Sequence, residues 1–224
     1  MVTRTLLGLI SLLLTFTVNA GPQIDHWKTS NGARVYFVSA PELPMLDLKV
    51  VFDAGSAQDK DLPGTALLTN AMLSEGAGGQ SADQIATAFE DIGANFGSAS
   101  QRDMAQVSLR SLTAEPALSK ALAMMETVLT KPDFSQDAFE RLQKQVLLGL
   151  QAEKQSPSAL ATRAFYSNIY GEHPYASMPA GTDEVVALLN TKTLNKFYKQ
   201  YYVARNATVV LVGAVDKAKA KAIA

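Results

Sequence analysis

Hydrophobic and polar positions alternate along four short stretches of this chain and recur at helical spacing along most of the remainder. Leu46, Leu48, Val50 and Phe52 alternate with Asp47, Lys49 and Val51, a period of two that predicts a strand with one face buried against helices. Ala33 to Ser39 is a second β-rich run, and Pro41-Glu-Leu-Pro44 between the two is turn-forming, so they are expected as antiparallel neighbours. Ala105 to Leu112 places Ala105, Val107 and Leu109 on one side. Ala207 to Gly213 is apolar with little alternation and is expected at the centre of a sheet.

Helical periodicity fills the intervals. Ser81-Ala-Asp-Gln84 has the spacing of a capping box, in which the hydroxyl and the amide satisfy free amides of the first turn, and it opens a helix through Ile92 that Gly93 ends. Leu118, Leu122, Met125 and Leu129 form the stripe of a helix within Ala114 to Thr130. Ser135 precedes a long helix with the stripe Phe139, Leu142, Val146 and Leu150, running to about Gln155 before Pro157. Further helices are predicted over Ser158 to Tyr170, Asp183 to Asn190 and Thr193 to Tyr202. The order of strands and helices predicts an α+β domain, an antiparallel sheet covered by helices on one face. Asn206 to Ala224 holds one strand and the start of a lysine-alanine helix with nothing to pack on, which implies a natural chain that continues.

Composition narrows the class. The 224 residues are 47% hydrophobic, enough for one large domain or two small ones. With 20 basic and 21 acidic side chains, nothing in the overall charge points to nucleic acid or an anionic membrane surface. Residues 1 to 20 read as a secretory signal: Arg4, the apolar run Leu6 to Val18, then Val18-Asn19-Ala20 as a cleavage site, leaving a mature domain over 21 to 224. The apolar run is shorter than the roughly 20 residues that span a bilayer, so no stable membrane anchor is expected. An exported chain without cysteine relies on its core rather than on disulfides, and the bacterial periplasm is the expected compartment.

One apolar helix carries the functional information. From Phe52 the chain runs through Ala54-Gly-Ser56 to Gly64-Thr-Ala-Leu-Leu-Thr-Asn-Ala71 and stops at Gly76. This stretch resembles the opening of the insulinase/pitrilysin (M16) family of zinc peptidases, where an alanine-glycine-serine strand end leads to a glycine and then to H-x-x-E-H. In that motif residues i and i+4 share a helix face, so two imidazoles hold one zinc while the glutamate acts on the bound water. Counted from Gly64, the two histidine positions fall on Leu67 and Ala71 and the glutamate position on Asn70. The family's third ligand, a glutamate on a later helix, falls by counting back from Pro157 on Leu148 or Gly149. The resemblance therefore implies a member without a zinc site, with no catalytic residue and no metal cofactor.

Later motifs follow in the family's order: Tyr170-Gly-Glu-His-Pro-Tyr175, Gly181-Thr182, Phe197, Tyr201-Tyr202, Asn206 and Val212-Gly-Ala-Val-Asp216. The resemblance spans Ile24 to Asp216 and implies a half-domain of the mitochondrial-processing-peptidase type, two of which form a subunit. Family members commonly pair a catalytic H-x-x-E-H subunit with a non-catalytic one that helps enclose peptide, so a catalytic homologue and a peptide are the expected partners.

Other reactive residues have plain structural readings. His173, beside Glu172, is expected in a turn rather than on a metal, and His26 beside Trp27 at the surface or in packing. Glu75 and Glu90 are expected as solvated positions. Ser56 and Ser74 lack any serine-hydrolase context. Glu75-Gly-Ala-Gly-Gly-Gln80 follows a helix and lacks the phosphate-loop arrangement, so it reads as a helix stop and flexible turn. Tyr198, Tyr201 and Tyr202 are expected in packing rather than against a nucleobase. Three readings are left for the chain: a non-catalytic subunit with a catalytic partner, a divergent zinc metalloendopeptidase, and a stand-alone peptide-binding or scaffold protein. A neighbouring H-x-x-E-H homologue, bound zinc, or neither would distinguish them.

Overall fold

In the computed structural model, which describes residues 21–224, six strands form one sheet in the order β1-β2-β8-β3-β7-β6. They are β1 (Asp25–Lys28), β2 (Arg34–Ser39), β3 (Met45–Phe52), β6 (Asn95–Ser100), β7 (Ala105–Leu112) and β8 (Ala207–Gly213). All pairings are antiparallel except β2 with β8, which is parallel. The expectation that β2 and β3 are neighbours is therefore corrected: β8 lies between them, pairing Val35 with Val209 on one side and Val50 with Val209 on the other. The cause is visible in composition. Ala-Thr-Val-Val-Leu-Val-Gly is suited to a position with a neighbour on both edges, and the central place goes to the strand that is most apolar throughout.

The alternation in β3 and β7 is realised as read. Leu46, Leu48, Val50 and Phe52 are buried while Lys49 is exposed, and Ala105, Val107 and Leu109 are buried opposite them. Helices α1 (Thr65–Met72), α2 (Ala82–Glu90) and α3 (Ala117–Thr130) join this face in the larger core, through residues such as Ala66, Ile85, Phe89, Leu118, Met125 and Val128. The capping box at Ser81 forms in full, with Gln84 N donating to Ser81 Oγ and Ser81 N to Gln84 Oε1. Between α1 and α2 the expected flexible turn is instead a small hairpin, β4 (Gly76–Ala77) with β5 (Gln80–Ser81). Gly78 and Gly79 turn it at φ of 60° and 79°, values that favour glycine.

A second core lies behind α1. There Leu68 and Met72 meet Phe139 and Leu150 of α4 (Gln136–Glu153), Val186 of α6 (Asp183–Leu188) and Leu194 of α7 (Thr191–Tyr201). Helix α1 is thus clamped between the two cores, Ala66 and Leu73 in one and Leu68 and Met72 in the other. Between α4 and α6, α5 (Pro157–Tyr170) buries no residue at all. The last helix, α8 (Lys217–Ile223), is capped by Asp216 and does pack, with Ala220 fully buried and Ile223 against the larger core, which corrects the expectation of a helix without a seat. The secretory signal expected over residues 1 to 20 lies outside the described residues. No helix among the described residues is long and apolar enough to cross a membrane.

Candidate functional site

The glycine punctuation around α1 has a common physical cause, close approach of backbone to its neighbours. At Gly55 a β-carbon would lie 2.3 Å from the Arg102 carbonyl oxygen and 2.4 Å from the Met104 nitrogen. The strand end and the β6–β7 turn are bonded at this point, Ser56 N to Gln101 O at 2.9 Å and Ala57 N to Arg102 O at 2.8 Å. Gly64, at φ 104°, admits the chain into α1 against Val186 and Ala180. Gly181, at φ 75°, sits where a β-carbon would be 2.2 Å from Pro63 O. Asn206 donates to Asp53 O at 2.9 Å and to Tyr201 O at 2.8 Å, tying the entry to β8 to the end of β3.

The start of α1 has no side-chain cap from Gly64 itself. Asp59, 6% exposed, supplies one from upstream: its Oδ2 accepts from Gly64 N at 2.9 Å and its Oδ1 from Ala66 N at 2.7 Å. Burial pushes this carboxyl up to about 7, against the lowering effect of the Ala66 and Gly64 amides. Replacing Asp59 by alanine leaves two buried helix amides unpaired and is expected to cost about 2 kcal/mol. The sign of the pH dependence follows from the raised value. Between its ordinary value of 3.8 and about 7 the folded state holds the Asp59 proton more tightly than the unfolded one, so stability falls as pH rises through that window. Chemical denaturation at pH 5 and pH 8 is expected to show Asp59→Ala costing more at pH 5, with the wild-type slope flattened in the variant.

The helix so held places the motif positions unequally. Leu67 and Ala71 are half-buried, on one face of α1, whereas Asn70 is 2% exposed. Asn70 Nδ2 donates to Tyr202 Oη at 3.2 Å, and the Tyr202 ring lies 4.8 Å from that of Phe52. Burial raises the Tyr202 hydroxyl pKa. Leu67 is therefore only partly packed, and the fully interior position is that of Asn70. On α4, Leu148 is 57% exposed and Gly149 is exposed, with open space where a β-carbon would be. None of these side chains offers an imidazole or a carboxylate. Their chemistry does not fit a catalytic zinc, which takes three nitrogen, sulfur or oxygen ligands from the protein. Among the described residues no group of three or more histidine, cysteine, aspartate or glutamate side chains is arranged to hold a metal.

Strand β6 packs beside α1 and lies at the edge of the sheet, with β7 on one side only. Its sequence, Asn-Phe-Gly-Ser-Ala-Ser, has none of the lysines or prolines that usually blunt such an edge. Immediately after it Arg102 reaches across to the segment following α5. Its Nη1 donates to Tyr175 O at 2.9 Å and Ser177 O at 2.7 Å, and its guanidinium carbon stands 4.0 Å from the Tyr166 ring centre. Asp103 accepts from the Tyr175 hydroxyl. Asp59, Arg102 and β6 were absent from the sequence reading. A cap six residues upstream of its helix and a strand of small residues leave no periodic signal, although the aspartate before Gly64 is a cue of the right type.

The remaining candidates fall as follows. His173 is in a turn, its Nδ1 accepting from Tyr175 N at 3.2 Å. His26 is exposed and stacks on Tyr36. Glu90 is exposed, but Glu75 is not the solvated residue expected: its side chain is 20% exposed and pairs with Arg141 of α4. Tyr202 is buried, Tyr198 donates to Leu129 O at 2.7 Å, and Tyr201 packs on Phe197, so the tyrosines serve packing.

Comparison with known proteins places this geometry. Residues 34–183 match the sequence signature of Insulinase (Peptidase family M16). The chain is 24% identical over 172 residues to the Helicobacter pylori protein described as Non-peptidase homolog YmxG, covering 76% of this chain and 39% of that protein. Among solved structures, the peptidase M16 inactive domain from Pseudomonas fluorescens superposes with a TM-score of 0.88 at 42% identity, over 90% of this chain and 49% of that one. The first half of the periplasmic protease PqqL from Escherichia coli superposes with a TM-score of 0.79 at 20% identity, over 91% of this chain and 46% of that one. The chain spans about half the length of the curated relatives it matches, 46% in the case of two Rickettsia proteins described as zinc proteases.

Proposed function

On the premise that this chain belongs to the insulinase family of peptidases, peptidase family M16, we propose that it is a non-catalytic half-domain that pairs with an active M16 homologue and helps hold the peptide. The observation that carries the reading is Asn70. At the position of the family's general base stands an amide, 2% exposed and donating to Tyr202, flanked at the ligand positions by Leu67 and Ala71. The position of the base is thus part of the packed interior. A base must reach a bound water, and a buried amide bonded to a tyrosine has neither the proton affinity nor the access.

What is left of the site suits binding. Leu67 and Ala71 present half-exposed apolar surface on a helix next to an edge strand of small, uncharged residues. An extended peptide laid along β6 would gain main-chain hydrogen bonds from the sheet and apolar contact from its side chains, the mode known as strand addition. The signal-like pattern of residues 1 to 20 supports an encounter outside the cytoplasm, with the periplasm of a bacterial cell as the proposed compartment.

The test is reconstitution. Co-expressed with an M16 homologue that carries H-x-x-E-H, the chain is expected to elute with it as a stoichiometric complex whose peptide turnover falls when the chain is left out. A homologue that works unchanged alone and never co-elutes with the chain would refute the pairing.

A further inference from the structure

From Gln151 to Ala180 the chain runs without one buried residue, between Leu150 in the second core and Gly181 against Pro63. The stretch holds the end of α4, all of α5 and a tight turn, Pro174 to Ala176. The apolar stripe of α5 faces away from the body, with Leu160, Phe165 and Ile169 48%, 57% and 59% exposed, while Arg163 and Tyr166 are half-buried on its inner side. Burial of apolar surface, which holds the rest of the molecule together, contributes little here.

One turn holds the stretch down. Among the described residues, the hydrogen bonds that tie Pro157 to Met178 to the body away from its two ends come from Arg102 and Asp103, between β6 and β7. Arg102 Nη1 donates to Tyr175 O at 2.9 Å and Ser177 O at 2.7 Å, its Nη2 meets Met178 Sδ at 3.5 Å, and its guanidinium carbon stands 4.0 Å from the Tyr166 ring centre. Asp103 accepts from the Tyr175 hydroxyl. A single arginine thus grips the helix and the turn after it. The other bonds lie at the ends, Arg163 to Glu153 at 2.7 Å and to Gly181 O at 3.0 Å, and Lys154 to Asp183 at 2.5 Å.

We propose that Gln151 to Ala180 is a strap, latched by Arg102, that opens as one unit while both cores stay folded. Because opening exposes little apolar surface, its free energy is set by the latch and not by packing. A free helix of 14 residues is marginal in water, so the amides of α5 exchange with solvent once the strap is open. The Pro174 to Ala176 turn rests against the Ser56 to Gln58 turn, which lies between β3 and α1. The open strap therefore uncovers the path by which the chain enters α1.

Amide exchange of the whole chain in urea below the unfolding transition tests this. The α5 amides are expected to share one opening that barely responds to urea, whereas those of β3, β7 and β8 follow the steep slope of global unfolding. Two substitutions separate the strap from the cores. Arg102→Met keeps the stem and removes the donors, and is expected to speed α5 exchange at least about tenfold. Ile85→Val, in the larger core, weakens packing that the open form keeps; it is expected to speed exchange in β3 and β8 about threefold or more and to leave α5 unchanged. Tyr175→Phe deletes only the bond to Asp103 and gives a smaller effect in the direction of Arg102→Met, which keeps the test alive if that variant does not fold. Exchange of α5 on the urea slope of the sheet overturns the proposal. So does an α5 response to Ile85→Val equal to that of the sheet, and so does α5 exchange indifferent to both latch variants.

Discussion

Putting the zinc motif back, by Leu67→His, Asn70→Glu and Ala71→His together, is expected to give a less stable protein that cleaves no unstructured peptide at enzymatic rates. Two of the three changes are mild, since Leu67 and Ala71 are half-exposed and an imidazole at either position keeps contact with water. The damage comes from Asn70. A carboxylate placed where exposure is 2%, against a tyrosine hydroxyl, loses hydration without gaining a cation, and the cost is about 2–4 kcal/mol at neutral pH. Such a carboxyl has a raised folded-state pKa, so the penalty is small below its ordinary range and grows as pH rises. Urea denaturation at pH 5 and pH 8 separates this from a packing defect, whose cost would be the same at both. Activity fails for a different reason: α4 offers Leu148 and Gly149 where the third ligand belongs, and no surrounding hydrogen bonds orient the new imidazoles. Cleavage of a quenched fluorescent peptide by the triple variant at rates typical of enzymes would show this argument to be mistaken.

Gly55→Ala is expected to be more damaging than its single methyl suggests. The added β-carbon would sit 2.3–2.5 Å from backbone atoms of Arg102 and Met104, and backbone has no rotamer by which to retreat. Either β3 or the β6–β7 turn must shift, breaking the Ser56 to Gln101 and Ala57 to Arg102 bonds that hold them together. A loss of about 3 kcal/mol or more follows. The displacement would also be felt by Arg102, whose hold on Tyr175 and Ser177 starts from the same turn. Thermal unfolding measures the loss, and amide exchange is expected to locate it in β6 and the segment from Pro174 to Met178. An unchanged midpoint would mean that the two segments are not in contact as described.

How far the sequence foretold this molecule depends on the kind of signal each part leaves. β3, β7 and the amphipathic helices were legible because burial on one face imposes a period, and Ser81 with Gln84 because a capping box has fixed spacing. The place of β8 between β2 and β3 was half legible: its apolar content marked a central strand, but partnership is set by which edges are left open, which no local pattern records. β1 and β6 were illegible for a simpler reason. Asp25–Lys28 is short, and Asn95–Ser100 is made of residues that favour strands weakly, so both owe their form to the neighbour they pair with. At the site, Leu67, Asn70 and Ala71 could be located by counting from Gly64, because the glycines at Gly55 and Gly64, where backbone approaches closely, give the resemblance a fixed starting point. The bond from Asn70 to Tyr202 spans 132 residues and had no sequence signal at all. The outward stripe of α5 was open to the same periodicity argument as any other helix, but periodicity does not say which side faces the body.

The central claim is that the site on α1 holds no catalytic zinc, and the most direct test is the metal content of the purified chain, by elemental analysis after dialysis against zinc and then against metal-free buffer without chelator. The account predicts far less than one zinc per chain, the same in wild type and in Asn70→Ala. About one zinc per chain, lost on substituting a residue between Gly64 and Gly76, would contradict it.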